Sequence, residues 1–158
     1  IFKGLSEEDI KLFIPLIENK EFPKDQKIIE ENENGDSLLF LLKGDISITK
    51  ALTLVTSKDE DNDNSEKELI RLKSEYNIAM GELSLFSEEK KRSATVKTLT
   101  DCTIGYLSSK DFFKVCDTNK EIGYIVVSNI ANIVSENLIK SNKDVLKLTT
   151  AFSLIMSK

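Results

Sequence analysis

What most limits the fold of this 158-residue chain is the way its apolar residues are broken up between positions 21 and 107. Short apolar runs at 27–30, 38–42 and 46–55 are parted by turn chemistry, at residues 32–36 and at Lys43, Gly44 and Asp45. Runs this short, closed by such turns, read as β-strands. Residues 68–73, 76–80, 94–98 and 102–107 continue the pattern, with one short helical turn at 81–86 set among them. Helical periodicity belongs to the two ends. Residues 6–16 form a first helix, with Ser6 as N-cap, Asp9 in capping-box position, and Ile10, Phe13, Ile14 and Ile17 as its apolar face. Ser109 caps a short helix through Val115, and Thr118 or Asn119 opens a long one to about Lys140, with Ile122, Val126, Ile130, Ile133, Val134 and Asn137 near one face. A last amphipathic stretch holds Val145, Leu148, Phe152, Ile155 and Met156. The order helix, many strands, helices indicates an α+β protein, mainly β, with segregated layers.

A chain of this length buries roughly two-thirds of its unfolded surface, so one core and a single domain over residues 1–158 are expected. Its strands should fill about 20–108 and its helices 109–158. Residue 1 is Ile rather than Met, which suggests a segment of a longer product. No apolar run approaches the ~20 residues of a membrane span, so a soluble chain is expected. Cys102 and Cys116 lack the spacing of a zinc site or a disulfide framework, which suits a reducing cytoplasm.

The absence of histidine removes the commonest general base and metal ligand. No acid–base pair, nucleophile triad or metal cluster emerges, so binding without catalysis is expected, with neither cofactor nor metal. The net charge is −5 and the basic residues are scattered, which argues against a groove that grips nucleic acid. The acidic stretch 56–68 invites a calcium reading, with Ser57, Asp59, Asp61, Asp63, Ser65 and Glu68 at ligand spacings. The first ligand is not acidic, however, and Asn62 stands where the loop needs glycine, so a polar hairpin loop is expected instead.

The informative segment is Met80, Gly81, Glu82, Leu83, Ser84, Leu85 and Phe86, then a serine and four charged residues, then Arg92, Ser93, Ala94, Thr95 and Val96. Gly81 permits a sharp entry from strand to helix, which presents the amides of Glu82 and its successors to an anion. Arg92 returns on the far limb of the loop, where its planar guanidinium suits two phosphate oxygens, and Ser93 and the Ala94 N–H can complete the shell. The Glu82 carboxylate can accept a hydrogen bond from a ribose 2′-hydroxyl. The competing reading, a plain Glu82–Arg92 surface salt bridge, explains the charges but not the glycine or the small residues.

These residues, G-E-L-x-L-F followed by a short loop and R-S-A-T-V, resemble the phosphate-binding cassette of cyclic nucleotide-binding domains, with the order and loop length of the effector domains of bacterial catabolite activators. Phe2, Leu5, Gly35, Asp36, Lys43, Gly44, Asp101 and Cys102 also match, and the likeness covers about residues 1–141. Three positions depart from the pattern. Met80 replaces an aromatic residue, Lys91 replaces a proline, and no glycine occurs at 74–77.

The resemblance implies a double-stranded β-helix, or jelly-roll, with an N-terminal helix, a cassette helix and C-terminal helices. It assigns Glu82 to the ribose and Arg92 to the cyclic phosphate, with Gly81, Leu83, Ser93 and Ala94 in support. The long helix becomes a lid, from which Asn137 can reach an adenine or equally a guanine edge. Ser93 beside the arginine favours cAMP over cGMP. The apolar helix face at Val126, Ile130, Ile133 and Val134 is either a homodimer seam or the inner face of the lid. The output module lies outside this chain. The alternative is a β-roll scaffold for dimerisation or docking that binds no nucleotide.

Overall fold

The structure, a computed structural model, describes residues 1–51 and 66–156. Its strands are β1 (Glu18–Phe22), β2 (Lys27–Ile29), β3 (Ser37–Lys43), β4 (Asp45–Ala51), β5 (Glu66–Lys73), β6 (Ala79–Met80), β7 (Thr95–Thr98) and β8 (Cys102–Ser108). They make two four-stranded antiparallel sheets, ordered β1-β8-β3-β6 and β2-β7-β4-β5. The helices are α1 (Glu7–Ile10), α2 (Glu82–Phe86), α3 (Ser109–Thr118) and α4 (Lys120–Met156). The α+β jelly-roll expected from the sequence is therefore present.

The alternation of side chains along a strand divides the interior into two cores. On β3, Leu39 and Leu41 point between the sheets, where they meet Ile29, Ile46, Met80, Val96, Cys102 and Ile104. Leu38, one residue along, points the other way and joins Phe13, Leu107, Phe112, Val126 and Ile130 beneath the helices. One face of this sheet thus seats the roll and the other seats α3 and α4. Asn129 of α4 donates from Nδ2 to the carbonyls of Ile1 (2.8 Å) and Lys3 (2.7 Å), which fastens the N-terminal segment to that helix.

Several boundaries differ from the sequence reading, each for a physical reason. The Ser6–Asp9 capping box forms as expected, but α1 ends at Ile10 and a 3₁₀ turn at Ile14–Leu16 takes over. Pro15 disfavours α geometry in the residue before it and so splits the segment. β1 begins at Glu18, earlier than the apolar pattern allows, because it is an edge strand held by its ladder to β8 while most of its side chains face water. Ser108, not Ser109, caps α3, accepting from the Asp111 N–H at 3.0 Å. The break near Lys140 does not occur, and α4 runs unbroken for 37 residues. By length and composition α4 is apolar enough to cross a membrane, contrary to the expectation that nothing in the chain approaches a span. Its apolar residues are interspersed with Ser and Asn, so no uninterrupted run reveals it. Within the protein, Ile122, Gly123, Val126 and Ile130 of its N-terminal half are buried in the helical core. Of the calcium reading, residues 57–65 lie outside the described residues.

The glycine missing from 74–77 is replaced in its conformational role. A 3₁₀ turn at Ser74–Tyr76 ends on Asn77, which adopts the left-handed region at φ 51°, ψ 51°. Asn is among the side chains that tolerate that region best, so the chain turns towards β6 without a glycine. Asn77→Gly should leave stability within about 0.5 kcal/mol of wild type, whereas Asn77→Ala should lower it by about 1 kcal/mol. Urea unfolding of the three proteins measures both.

Candidate functional site

The site begins at the corner between β6 and α2. Gly81 sits at φ 84°, ψ 8°, a left-handed geometry that turns the chain from strand to helix and leaves the first turn of α2 without a side-chain cap. The return limb is fixed by backbone pairing with the loop before β3. Asn32 N–H donates to Arg92 O (2.9 Å), Arg92 N–H to Glu33 O (2.9 Å) and Gly35 N–H to Lys90 O (2.8 Å). That short zipper sets the direction from which the Arg92 side chain enters.

Arg92 is only 6% exposed. Its Nη1 donates to Ser37 O (3.0 Å), to Ser84 Oγ (2.9 Å) and, at greater length, to Gly81 O (3.5 Å). Nη2 donates to Ser37 Oγ (3.2 Å), and Nε is buried without a partner. Every acceptor is an uncharged oxygen, and among the described residues Arg92 enters no salt bridge. The plain Glu82–Arg92 ion pair weighed from the sequence is therefore not what holds the guanidinium. The slot exists because two neighbours are glycines. A Cβ on Gly35 would fall 2.1 Å from Arg92 Nε, and one on Gly81 would fall 2.2 Å from Nη1.

A cavity of about 380 Å³ opens beside this slot, within the usual size of small-molecule sites. All seven residues singled out from the sequence, Gly81, Glu82, Leu83, Arg92, Ser93, Ala94 and Asn137, line it. Its other wall is aliphatic, with Ile29, Ile48, Leu72, Ile78 and Val96 from the roll, and Ile133 joins Asn137 from α4. One end of the cavity is thus polar and charged and the other apolar, which suits a ligand with an anionic end and a flat, poorly hydrated end. Among the described residues no group of three or more Cys, Asp or Glu side chains is placed to hold a metal.

The electrostatics follow from burial. Loss of water pushes the Glu82 carboxyl above the usual carboxylate range, against the smaller opposing effects of its own backbone N–H and of Arg92. Burial also lowers Arg92, while Glu33, Asp36, Tyr106 and Glu82 act in the opposite sense and support its charge. A guanidinium starts so far above neutral pH that it stays protonated. The sequence reading missed Ser37, Ser84 and the slot role of Gly35. For Ser84 the signal was a hydroxyl between two leucines on a helix of five residues, with Ser84 and Leu85 its buried members.

Comparison with known proteins places this geometry among relatives. The profile of the family described as "Cyclic nucleotide-binding domain" matches residues 19–119. The chain is 31% identical over 110 residues to the cAMP-activated global transcriptional regulator CRP of Haemophilus influenzae, covering 70% of this chain and 44% of that one. The chain spans about half the length of the curated relatives it matches. Among solved structures, one described as cAMP-bound PfPKA-R (141–441) is 28% identical with a TM-score of 0.58, covering 72% of this chain and 36% of that one. A cyclic nucleotide-binding domain from Methylobacillus flagellatus has a TM-score of 0.75 at 17% identity, covering 92% and 75%, and supports the fold.

The raised Glu82 pKa has a definite sign. The folded state favours the protonated carboxyl more than the unfolded chain does, so ionisation of Glu82 costs stability as the pH rises through and above the usual carboxylate range. Glu82→Gln should therefore be more stable than wild type near pH 7, and the gap should close as the pH falls below that range. Urea unfolding across a pH series tests this, and equal stabilities at all pH values would contradict it.

Proposed function

The chain belongs to the cyclic nucleotide-binding domain family, and from that premise we propose that it senses a cyclic nucleotide, cAMP in preference to cGMP, and relays occupancy through α4 to an output module outside this chain. The family is regulatory and ligand-binding, and we read residues 1–158 as one such domain acting in the cytoplasm, with Cys102 and Cys116 as free thiols, without contacting nucleic acid itself.

The observation that carries the reading is a buried cation bonded only to neutral oxygens, at the polar end of a cavity lined by all seven cassette and lid residues. Burial of a charge is stabilised by an opposite charge, and a cyclic phosphate supplies one. The half-buried Glu82 carboxylate lies in the same cavity and offers the acceptor that a ribose hydroxyl needs. Leu83 and Ala94 flank the sugar and phosphate end, Gly81 leaves room at the guanidinium, and Ser93 adds a hydroxyl that favours cAMP. Asn137 reads the base edge from α4.

A second copy of the chain is the proposed partner. Along α4, Tyr124, Ala131, Leu138, Val145 and Phe152 repeat every seventh residue, and Val127, Val134, Ser141, Leu148 and Ile155 repeat in the same way. This is the a/d pattern of a two-stranded coiled coil. All of these residues except the half-buried Val134 are exposed, whereas Ile122, Val126 and Ile130 face the protein's own core. Val126 and Ile130, which the sequence offered for a seam or a lid, are therefore core residues, and the proposed seam takes the exposed positions beside them, sharing Val134 with the inner face.

Titration calorimetry should find binding of cAMP, with cGMP weaker, and no heat with either at millimolar concentration would defeat the reading. Arg92→Ala should weaken cAMP binding by about 2–4 kcal/mol, through loss of a charge-assisted partner. Because Arg92 also bonds β3 and α2, circular dichroism must show the variant folded, and Arg92→Lys, which keeps the charge but not the fork, should lie between the two. Leu148→Lys with Phe152→Lys should convert a dimer to a folded monomer in sedimentation analysis, and an unchanged mass would remove the seam.

A further inference from the structure

We propose that the hydroxyls of Ser84 and Ser37 position Arg92, committing Nη1 to the protein so that the edge formed by Nε and Nη2 is the one that receives a ligand phosphate. The inference rests on the cyclic-nucleotide reading of the cavity and adds to it two residues that bond Arg92 directly.

The case is a count of hydrogens. A guanidinium carries five N–H groups, two on each Nη and one on Nε. The two on Nη1 are matched by Ser37 O at 3.0 Å and Ser84 Oγ at 2.9 Å. One of the two on Nη2 goes to Ser37 Oγ at 3.2 Å. What is left is the Nε hydrogen, buried and without a partner, and the second Nη2 hydrogen. Nη1 and Nη2 both donate to Ser37, so the Nη2 hydrogen used is the one on the Nη1 side, and the other lies beside the Nε hydrogen, parallel on one edge, the fork that grips two oxygens of a phosphate.

Ser84 is built to hold that state. It is 2% exposed, and its own hydroxyl hydrogen is given to Gly81 O at 2.8 Å. Its lone pairs are therefore turned to Nη1, and the hydroxyl accepts from the guanidinium rather than competing with it as a donor. Gly81 O is the carbonyl of the α2 cap, so Ser84 ties the cation to the cassette's own corner. Ser37 makes the complementary tie to β3. An alanine at either place keeps the packing and removes only the directing oxygen. Holding a long side chain in its bound orientation beforehand spares the ligand that ordering cost.

The chain contains two arginines, Arg71 and Arg92, which makes the test direct. The full chain is labelled with ¹⁵N-arginine, the two guanidinium signals are assigned with Arg71→Lys, and rotation about the Arg92 Cζ–Nη bonds is read by NMR in the ligand-free protein. cAMP affinity is measured on the same samples by calorimetry. Ser84→Ala is expected to bind cAMP about tenfold more weakly, as for loss of one hydrogen bond to a charged group, with faster Arg92 rotation. Ser37→Ala should shift both readouts in the same direction and Ser37→Thr should restore both. Affinity within twofold of wild type overturns the proposal, and so does weaker binding with Arg92 rotation unchanged, which would mark a merely structural role. If Ser84→Ala does not fold, the Ser37 pair decides by the same criteria. Wild-type protein that binds neither cyclic nucleotide defeats the ligand reading instead, while the rotation data still show whether the two hydroxyls hold the guanidinium.

Discussion

A guanidinium taken out of water loses solvation that only hydrogen bonds and opposite charge can restore. In this protein Arg92 is taken almost wholly out of water and given hydrogen bonds without a bonded carboxylate. Much of the local architecture answers to that choice. Gly35 and Gly81 lack side chains where a Cβ would strike the group, and the loop before β3 is zipped to the return limb of the cassette so that the side chain can enter only from one side. Glu33, Asp36 and Glu82 support the charge through space. They offset part of the cost of burying the cation and leave part of its hydrogen-bonding capacity uncommitted.

The same contacts join parts of the fold that the strand ladders do not. Arg92 lies just before β7, in the sheet β2-β7-β4-β5, while Ser37 begins β3 in the opposite sheet and Ser84 belongs to α2. One side chain therefore closes the end of the roll across both sheets and the cassette helix. A change in what the guanidinium bonds to is felt by three elements together. Glu82, the neighbouring carboxyl, is held in a half-buried place that raises its pKa, so the site carries a stability cost that a neutral residue there would not. Such costs collect where binding rather than folding sets the residue.

What was legible in the sequence was which residues, local along the chain, would meet at one cavity. Gly81, Glu82 and Arg92 stand within one short segment, and their types alone suggest an anion site with a sugar acceptor beside it. The two-core interior was not legible: one core was expected from the chain's length, whereas the alternation of Leu38 and Leu39 on β3 divides the buried residues into two clusters. Nor was the cage. Ser37 is 55 residues from Arg92 and Ser84 is 8 away, and a serine says nothing about its partner until the tertiary structure brings one. β1 escaped because an edge strand with solvent-facing side chains has no apolar alternation to read. The continuity of α4 escaped because Ser141 and Asn142 look like a stop, although neither is a true breaker and the helix passes through them. Asn77 escaped because its left-handed geometry depends on the turn it ends.

The route from the cavity to α4 is narrower than a lid picture suggests. A ligand shifts an equilibrium only through contacts that differ between the two states, and of α4 only Ile133 and Asn137 line the cavity. A second groove, of about 470 Å³, is lined by Glu82, Leu83 and Phe86 of α2 and by Val127, Ile130, Ala131 and Val134 of α4. Glu82 and Leu83 line both spaces. Val127, Ala131 and Val134 also fall on the proposed heptad positions of α4. On the proposed sensing role, a ligand at Glu82 and the Gly81 corner would reach α4 through the groove that α2 and α4 line together as well as through Ile133 and Asn137.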